Sequence, residues 1–358
     1  MRLALDATYA LDRLPSGVAR YSERLVRELV QWPELELTLC ARWPRCWRLR
    51  RHFAGLRFRA CWLHEPFSRR LARRVDLFHG LNQRLPRCRF HRQVVTVHDV
   101  FPLSSRPYSS PAFQARFSAV IADAVRRADR IICVSAYTRD QLCRALALRP
   151  ESCDVVHHGV EQHPPPPSQA ALARARALAG DGPFFLSVGA VQRRKNTRAA
   201  VEAVSRLPAA HRARLVIAGS AGHGAEEVFD LIQRRGVGDR IRMLGYADDQ
   251  TLAALYAQAT ALLFPSLEEG FGFPVLEAMT RGLPVIASQT SSLPEVAGEA
   301  AVLVAPEDIE AMSQAALRML EDPAWRKQWS ARGQARAALF TWPRAARATL
   351  DVYRSLLE

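Results

Sequence analysis

Short apolar runs alternate with amphipathic stretches along the whole chain, and this alternation limits the fold more than any other feature of the sequence. The apolar runs lie at residues 3–5, 35–39, 75–78, 94–97, 130–134, 184–188, 215–218, 241–244, 261–264 and 285–286. Strands that alternate with helices form parallel sheets whose two faces are covered by those helices. The sequence therefore predicts an α/β protein, and such sheets bind ligands at the carboxyl ends of their strands.

The alternation breaks once, and the break divides the chain. Residues 163–167 read His-Pro-Pro-Pro-Pro, which neither a helix nor a central strand accommodates. We expect two doubly wound domains, residues 1–160 and 161–340, that face each other across a central cleft, and a last helix at 341–358 that packs back on the first domain. Residues 1–160 carry 28 Arg and Lys against 14 Asp and Glu, whereas the remainder carries 22 against 21. The first domain should therefore face an anionic partner: nucleic acid, a membrane surface or a phosphorylated substrate.

Several classes of protein are disfavoured by what the sequence lacks. No apolar stretch reaches the ~20 residues of a membrane span, and Asp6 and Asp12 interrupt any secretory apolar region. The seven cysteines form no C-x-x-C pair, so neither a disulfide framework nor a zinc ribbon is indicated. The glycine-rich fingerprints of NAD-binding and P-loop proteins are absent. We expect a cytoplasmic protein with free thiols.

The segment 265–279 is the richest in candidate binding groups. A Gly-containing loop follows a predicted strand, and a proline suits the first turn of the next helix. A helix start offers unpaired N–H groups to a phosphate, and Gly270 and Gly272 allow close approach of the backbone. Glu269 and Glu277 could accept hydrogen bonds from sugar hydroxyls. The alternative is that acidic residues lie here only because they favour a helix N-terminus.

A second candidate segment, residues 188–196, also connects a predicted strand to a helix. Its consecutive cations Arg193, Arg194 and Lys195 could neutralise a diphosphate leaving group. Lys195 is one of only two lysines among 50 basic residues, which indicates that a compact ammonium is needed at this point. The alternative is a solvated basic loop.

Two further candidates belong to the first domain. His98 and Asp99 end the predicted strand at 94–97, where a histidine could exchange a proton near neutral pH. A buried histidine with a purely structural role is the alternative. Gly17, within the loop 15–21 after the first strand, is a weaker phosphate-loop candidate. No D-x-D sequence is present to carry a divalent ion, so no metal is expected and phosphate charge would be met by protein cations and helix ends.

Residues 42–74 combine eleven arginines with a single acid, Glu65. The interleaved aromatic residues are Trp43, Trp47, Phe53, Phe58, Trp62 and Phe67. Arginine mixed with aromatics suits a surface that lies on anionic lipid. The same mixture could bind single-stranded nucleic acid by stacking, or could be an ordinary solvated helical face.

Taken together, these segments resemble glycosyltransferase family 4, whose GT-B architecture has two Rossmann-like domains. The resemblance covers nearly the whole chain in order, with segments at 17–21, 98–99, 132–135, 155–160, 187–189, 194–196, 215–219, 244–246, 282–287 and 293–296. The most specific motif is the pair of glutamates with seven residues between them, Glu269 and Glu277. The segment 291–295 is similar to that of bacterial polysaccharide mannosyl- and rhamnosyltransferases.

The resemblance implies a role for each candidate. Glu277 would bind the ribose of a nucleotide-sugar, Glu269 the transferred sugar, and His98 would approach that sugar from the first domain. Gly17 would lie near the phosphate or the acceptor, and Tyr246 would border the nucleobase. Sugar and phosphate would also be held by the backbone of Gly270, Phe271, Gly272 and Phe273. The family retains anomeric configuration, so both acids are expected to bind substrate, unlike the acid and nucleophile of a glycosidase.

The cations would stabilise the departing diphosphate, and here the sequence departs from the family pattern. Many relatives carry an arginine directly after Gly189, where this chain has Ala190. Arg194 and Lys195 are the expected pair, but Arg193 is a second candidate for the missing guanidinium. With His98 and Glu269, Arg194 and Lys195 form the predicted catalytic group.

The resemblance predicts a retaining glycosyltransferase that moves a hexose, mannose-like in preference, from a GDP- or UDP-linked donor. The acceptor would be a surface glycan or a lipid-linked glycan, with peripheral contact between residues 42–74 and the inner face of an anionic membrane. No cofactor and no nucleic-acid partner are expected. Two alternatives remain: a nucleic-acid-binding protein that uses the basic half, and a sugar-nucleotide epimerase of the same fold.

Overall fold

The computed structural model describes residues 1–12, 16–104 and 106–358. It separates into two units. Unit 1 comprises Met1–Ser105, Pro111–Gly159 and Phe340–Glu358, and unit 2 comprises Arg106–Ser110 and Val160–Leu339. Each unit contains a parallel sheet covered by helices, which confirms the predicted α/β class.

In the described part of unit 1 the sheet has seven parallel strands in the order β3-β2-β1-β4-β5-β6-β7. They are β1 (Arg2–Asp6), β2 (Glu36–Ala41), β3 (Arg59–Trp62), β4 (Leu77–Gly80), β5 (Arg92–Val97), β6 (Arg130–Cys133) and β7 (Cys153–Val155). The central strands are nearly continuous apolar runs because helices bury both faces. Leu3, Leu5 and Val95, for example, are fully buried.

Five helices precede the last one in the described part of unit 1, and two of them begin with a serine cap. The five are α1 (Gly17–Leu29), α2 (Leu49–His52), α3 (Phe67–Ala72), α4 (Pro111–Arg127) and α5 (Ala136–Leu146). The Ser16 hydroxyl accepts from the Ala19 N–H at the start of α1, and Ser135 does the same for Thr138 in α5. Among the described residues no helix combines the length and the apolar character of a membrane span.

The sheet of unit 2 has the order β10-β9-β8-β11-β12-β13, again parallel throughout. Its strands are β8 (Phe184–Val188), β9 (Arg214–Ala218), β10 (Ile241–Gly245), β11 (Ala261–Phe264), β12 (Val285–Ser288) and β13 (Val302–Val304). Its helices are α6 (Gln169–Ala179), α7 (Thr197–Ser205), α8 (Ala225–Arg235), α9 (Asp249–Gln258), α10 (Phe273–Thr280), α11 (Leu293–Ala297), α12 (Ile309–Glu321) and α13 (Pro323–Ala337).

The strand order of unit 2 explains where its functional loops lie. β8 and β11 are neighbours, while β9 and β10 extend the sheet on one side and β12 and β13 on the other. The order of the chain therefore reverses between β8 and β11. The loops after these two strands leave the same edge of the sheet side by side, which is where doubly wound folds bind ligands.

The last helix, α14 (Trp342–Leu357), returns to unit 1 and packs against α1. Thr341 caps its start by accepting from the N–H of Arg344. The Arg92 Nε donates to the carbonyl of Leu356 at 3.0 Å and links the end of the helix to β5. The side chain of Tyr353 is fully buried against the sheet.

Three strands, β3, β7 and β13, were not predicted from the sequence. All three are short, and each lies at the edge of a sheet. β3 carries Arg59 and exposes its first two residues, so it lacks the apolar run by which the other strands are recognised. Edge strands pair with a single neighbour and often carry charged residues. They therefore lack the continuous apolar run from which the central strands are predicted.

Candidate functional site

The loops that follow β8 and β11 bring two cations and one carboxylate into contact. Lys195 Nζ donates to Oε1 of Glu269 at 2.6 Å, and Arg194 Nη1 donates to Oε2 at 3.0 Å. The side chains of Lys195, Arg194 and Glu269 are exposed by only 16%, 10% and 7%. We call these three residues the Glu269 cluster; it joins all the catalytic candidates of unit 2.

The carboxyl group of Glu269 is held in its charged form. Burial alone would raise its pKa, because desolvation penalises the carboxylate. The charges of Lys195 and Arg194, with hydrogen bonds from Lys195 and Ser266, outweigh burial and lower the pKa to about 2. The Ser266 hydroxyl donates to Oε1 at 2.5 Å. Glu269 is therefore a fixed negative charge at neutral pH and not a proton donor.

Hydrogen bonds to backbone atoms fix the position of the cluster. Arg194 Nη1 also donates to the carbonyl of Glu268 at 2.5 Å. The N–H of Glu269 donates to the Ser291 hydroxyl at 3.1 Å, and the Ser292 hydroxyl donates to the carbonyl of Glu269 at 2.9 Å. Backbone hydrogen bonds orient the charged side chains before any ligand binds, which is the condition for electrostatic stabilisation of a transition state.

The ammonium of Lys195 is confined by its neighbours. Its Nζ lies 5.0 Å from the centroid of the Phe264 ring, within the range of a cation–π interaction. Gly189 has φ +121°, and a Cβ there would lie 3.4 Å from Lys195 Cε. A Cβ on Gly219 would lie 1.8 Å from the Gly189 carbonyl oxygen. Both glycines are needed for the close packing of the loop that carries Lys195.

The two candidate replacements for the missing guanidinium point to different partners. Arg194 joins the Glu269 cluster, whereas Arg193 Nε donates to Oε1 of Glu227 on α8 at 2.7 Å. Among the residues near Ala190, the structure therefore places Arg194, and not Arg193, beside the carboxylate of Glu269.

The start of α10 is shaped by glycine. Gly272 has φ +99°, and a Cβ there would lie 2.7 Å from Leu293 Cδ2, so no other residue fits without a shift. The helix has no side-chain N-cap, and a proline occupies its first turn. The rings of Phe271 and Phe273 meet edge to face at 5.5 Å. Gly270 precedes them in the same loop, so the four predicted backbone contacts are contiguous around this helix start.

Glu277 lies one turn further into α10. The Tyr256 hydroxyl on α9 donates to Oε2 of Glu277 at 3.1 Å. Tyr256 is only 3% exposed, so it holds the carboxylate from the protein side. Four residues of this site were not predicted from the sequence: Tyr256, Ser266, Ser291 and Ser292. The available signals were that Ser266 lies two residues after a strand and that Ser291 and Ser292 belong to a family-like segment.

Two other predicted binding residues lie apart from this cluster in the chain. Tyr246 follows β10 and is 50% exposed, after Gly245 with φ +67° and a break in the strand register. Gly17 is the first residue of α1 in unit 1 and is exposed. Pro15, from the same predicted loop, lies outside the described residues. The roles assigned to Tyr246 and Gly17 stay predictions.

In unit 1, His98 is held at the end of β5. Its backbone N–H donates to Gln83 Oε1 at 3.0 Å, and its Nε2 lies 2.8 Å from the carbonyl oxygen of Leu81. A carbonyl only accepts, so Nε2 carries the proton and Nδ1 is an acceptor in the neutral ring. Within the described residues Nδ1 makes no hydrogen bond of its own.

The protonation of His98 differs from the sequence-based expectation. Burial lowers the pKa of its imidazole to about 4, against a smaller opposite effect of the Leu81 carbonyl. The ring is therefore neutral at pH 7 and presents Nδ1 as a hydrogen-bond acceptor.

A buried polar network that the sequence did not reveal surrounds His98. Its ring stacks on His158 at 5.3 Å and meets the edge of Tyr21 at 4.7 Å. The Tyr21 hydroxyl lies 2.9 Å from Thr96 Oγ1, which lies 2.8 Å from Nε2 of His79. Through its other nitrogen, His79 reaches the hydroxyl of α14 residue Tyr353 at 2.6 Å. His158 belongs to the family-like segment 155–160, but neither it nor His79 was predicted to join such a network.

The described residues contain no group of three or more His, Cys, Asp or Glu arranged to hold a metal ion. The expectation that phosphate charge is met without a metal stays a prediction.

Comparison with known proteins identifies the family. The family model "Glycosyltransferase Family 4" matches residues 15–164, and "Glycosyl transferases group 1" matches residues 168–336. The O-antigen chain mannosyltransferase B of Escherichia coli is 33% identical over 286 residues, which cover 78% of this chain and 74% of that protein. The chain belongs to glycosyltransferase family 4. The predicted enzyme class is thereby confirmed over the alternative of a non-catalytic nucleic-acid-binding protein.

Other proteins are similar to this glycosyltransferase over part or all of its length. The D-inositol 3-phosphate glycosyltransferase of Frankia alni is 34% identical over 242 residues, 64% of this chain and 59% of that protein. Sucrose-phosphate synthase from Thermosynechococcus elongatus has a TM-score of 0.77 at 22% identity, over 99% of both chains. Anabaena HepE, in complex with UDP-glucose, has a TM-score of 0.76 at 18% identity, also over 99% of both chains. These similarities confirm the predicted GT-B fold.

Proposed function

We propose that this glycosyltransferase moves a mannose-like hexose from a nucleotide-linked donor to a growing surface glycan, with retention of anomeric configuration. The observation that carries the proposal is the Glu269 cluster, a buried carboxylate shared by two cations at the switch point of unit 2. The similarity to an O-antigen chain mannosyltransferase over most of the chain supports mannose and a glycan acceptor.

In the proposed reaction the cations act on the leaving group. Arg194 and Lys195 both form ion pairs with the carboxylate of Glu269, in a largely buried site. These two positive charges face one negative charge within the cluster. A nucleoside diphosphate gains charge as the bond to the sugar breaks, so these cations bind the transition state more strongly than the ground state. The amide groups at the start of α10 add a positive helix end for the same phosphates.

The acids orient the donor. Glu277, held by Tyr256, accepts hydrogen bonds from the two ribose hydroxyls, and Glu269 accepts from a hydroxyl of the sugar. Because the pKa of Glu269 is about 2, it stays a carboxylate throughout and does not protonate a leaving oxygen. His98 offers Nδ1 to another sugar hydroxyl, and the departing phosphate assists the acceptor hydroxyl.

Replacing Glu277 tests this assignment of the donor site. Glu277→Ala removes charge-assisted hydrogen bonds to the ribose, and we expect about 10- to 100-fold weaker donor binding. Titration calorimetry with GDP-mannose, UDP-glucose and the free nucleoside diphosphates measures the change. Glu299→Ala, at an exposed glutamate of unit 2, is the control and should leave binding unchanged.

Two outcomes would contradict the proposal. Unchanged affinity of Glu277→Ala for every nucleotide would remove the ribose-binding role. Consumption of donor without any acceptor, with an epimeric nucleotide-sugar as product, would favour the epimerase alternative. Nucleoside diphosphate release that requires a glycan acceptor is the expected result.

We also propose that unit 1 contacts the anionic face of a membrane, where a lipid-linked acceptor would lie. Four aromatic residues of the segment 42–74 form one group of ring contacts, and three of them are exposed: Trp43 by 61%, Trp47 by 76% and Phe67 by 43%. The Trp43 ring lies 6.0 Å from Trp47 and 5.9 Å from Trp62, which stacks on Phe67 at 5.5 Å. Exposed tryptophans among arginines suit the headgroup region. Phe53, in contrast, is fully buried and is core.

Vesicle sedimentation tests this contact. We expect the protein to bind vesicles that contain phosphatidylglycerol, to release from them as salt is raised, and to bind neutral vesicles weakly. Trp43→Ser with Trp47→Ser should lower binding at least about five-fold by removing interfacial aromatic area. Phe229→Ser, at an exposed aromatic of unit 2, is the control. Equal binding by both variants would contradict the assignment of this surface.

A further inference from the structure

Three of the seven cysteines lie close together inside unit 1, and none of them has a part in the proposed reaction. Cys133 ends β6, Cys153 begins β7 on the neighbouring strand, and Cys143 lies on α5, which connects them. The Cys143 Sγ lies 3.8 Å from the Cys153 Sγ. Two sulfurs at that distance are in van der Waals contact, and a disulfide needs about 2.0 Å. Each sulfur therefore has to move by about 1 Å before the S–S bond can form.

One thiol donates to the sulfur of Cys153. The thiol of Cys143 donates to it at 3.8 Å, and the Ser152 hydroxyl, which donates to the carbonyl of Arg149 at 2.6 Å, lies 3.7 Å away. Donors to a sulfur stabilise the thiolate, which is the form that attacks an oxidant.

The pKa of the Cys153 thiol is lowered and that of the Cys143 thiol is raised, as expected when Cys143 is the donor and Cys153 the acceptor. The neighbouring thiols of Cys133 and Cys143 outweigh burial and the charge of Asp154, and lower the pKa of Cys153 to about 6. Burial and the neighbouring Cys153 raise the pKa of Cys143 to about 11. Cys153 is thus the nucleophile of the pair, and Cys143 is the thiol that remains protonated until it is used.

The surroundings permit a small oxidant to reach the pair. Cys143 and Cys153 are 9% and 7% exposed, whereas Cys133 is fully buried. β7 is the edge strand of the sheet, so no further strand covers Cys153 on that side. The turn between α5 and β7 is short, and the left-handed Ala147 brings the chain back towards the strand.

We propose that Cys143 and Cys153 form a reversible disulfide when the protein meets a peroxide. The Cys153 thiolate attacks one peroxide oxygen and breaks the O–O bond, which yields a sulfenic acid and, after protonation, one water. Cys143 then attacks the sulfenic sulfur and displaces a second water as the S–S bond forms. Two thiols are oxidised and hydrogen peroxide is reduced to two waters; a dithiol reductant reverses the step.

Competition among the cysteines of the native full-length chain tests the proposal. The reduced protein is treated with hydrogen peroxide, quenched with catalase, alkylated with N-ethylmaleimide and digested without reductant. We expect peptides that join Cys143 to Cys153 as the main cross-link, lost on treatment with dithiothreitol. Cys46 is more exposed than Cys153. We nevertheless expect the free thiol of Cys153 to disappear at least ten times faster, because thiolate character and not exposure sets the rate of oxidation.

Variants separate the two steps. In Cys143→Ser and Cys143→Ala, Cys153 should accumulate as a sulfenic acid trapped by dimedone, and Cys88→Ser should behave as the parent protein. The proposal would be overturned by a main disulfide from Cys133 to Cys153 or from Cys40 to Cys61. It would also be overturned if the free thiol of Cys46 disappeared faster than that of Cys153, or if Cys153 of the parent protein were stably overoxidised. None of these readouts depends on the transferase activity.

Discussion

Replacement of Glu269 by glutamine is expected to lower kcat by about 100- to 1,000-fold, the cost typical of removing one preorganised electrostatic group from an active site. The variant keeps the shape of the side chain but leaves Arg194 and Lys195 as two largely buried cations without their shared carboxylate. Breaking a buried ion pair on one side costs about 3–5 kcal/mol, so the free energy of unfolding should fall as well.

Nucleotide binding distinguishes this effect from a general loss of structure. With the Glu269 carboxylate gone, the phosphates of a nucleoside diphosphate can neutralise both cations in its place, and we expect the affinity for the diphosphate to be kept or increased while turnover is lost. Steady-state kinetics and calorimetry on Glu269→Gln, with Glu299→Gln as the exposed control, measure both quantities. Turnover within three-fold of the parent protein would contradict the assigned role of the cluster.

As the pH is lowered, unit 1 should lose stability before the carboxylate of Glu269 begins to be protonated. Burial lowers the pKa of His98 to about 4 and that of His79 to about 3, and the pKa of His158 is lowered as well. In the unfolded chain each imidazole has a pKa near 6.5. Between pH 6.5 and the folded pKa the unfolded state binds more protons, so the free energy of unfolding falls as pH falls.

The expected loss is large. His98 alone contributes about 2–3 kcal/mol between pH 6.5 and pH 4.5, because one pKa unit corresponds to about 1.4 kcal/mol. Glu269 behaves differently: its contribution is complete above pH 4.5 and is lost as pH falls towards 2, so between pH 6.5 and pH 4.5 the loss comes from the histidines and not from Glu269.

Urea denaturation at a series of pH values measures how the free energy of unfolding changes with pH. Tryptophan fluorescence reports on unit 1, because five of the seven tryptophans belong to it. We expect His98→Asn to reduce the loss between pH 6.5 and pH 4.5. His163→Gln, at an exposed histidine of unit 2, should leave the loss unchanged. A free energy of unfolding that is constant over this pH range would show that the histidines are not buried in their neutral form.

Much of the fold follows from local pattern alone. The apolar runs at 94–97 and 261–264 are strands because a buried parallel strand needs apolar side chains on both faces. Gly272 and the proline after it mark the start of α10, since a left-handed φ and a first-turn proline are local requirements. Such features depend only on a residue and its immediate neighbours, so they can be recognised without the tertiary structure.

Two neighbouring arginines illustrate what local pattern leaves open. Arg193 and Arg194 have the same side chain in the same loop, yet one pairs with Glu227 and the other with Glu269. The difference depends on which way each side chain leaves a short turn, and on the position of α8 and the loop after β11. Likewise Phe53 is core while Trp43 and Trp47 are surface, although all three lie in one arginine-rich segment.

The sequence by itself determined the class of the fold, the order of its central strands along the chain and the residue types that a diphosphate-sugar site requires, because periodicity, turn residues and charge are local properties. Only the tertiary structure decided that Lys195 and Glu269, 74 residues apart, meet in the Glu269 cluster, since that contact follows from the pairing of β8 with β11. It also decided that His79, Thr96 and Tyr353 share one buried network, because the last helix returns to the first unit. Long-range pairing is what converts separate candidate residues into a site.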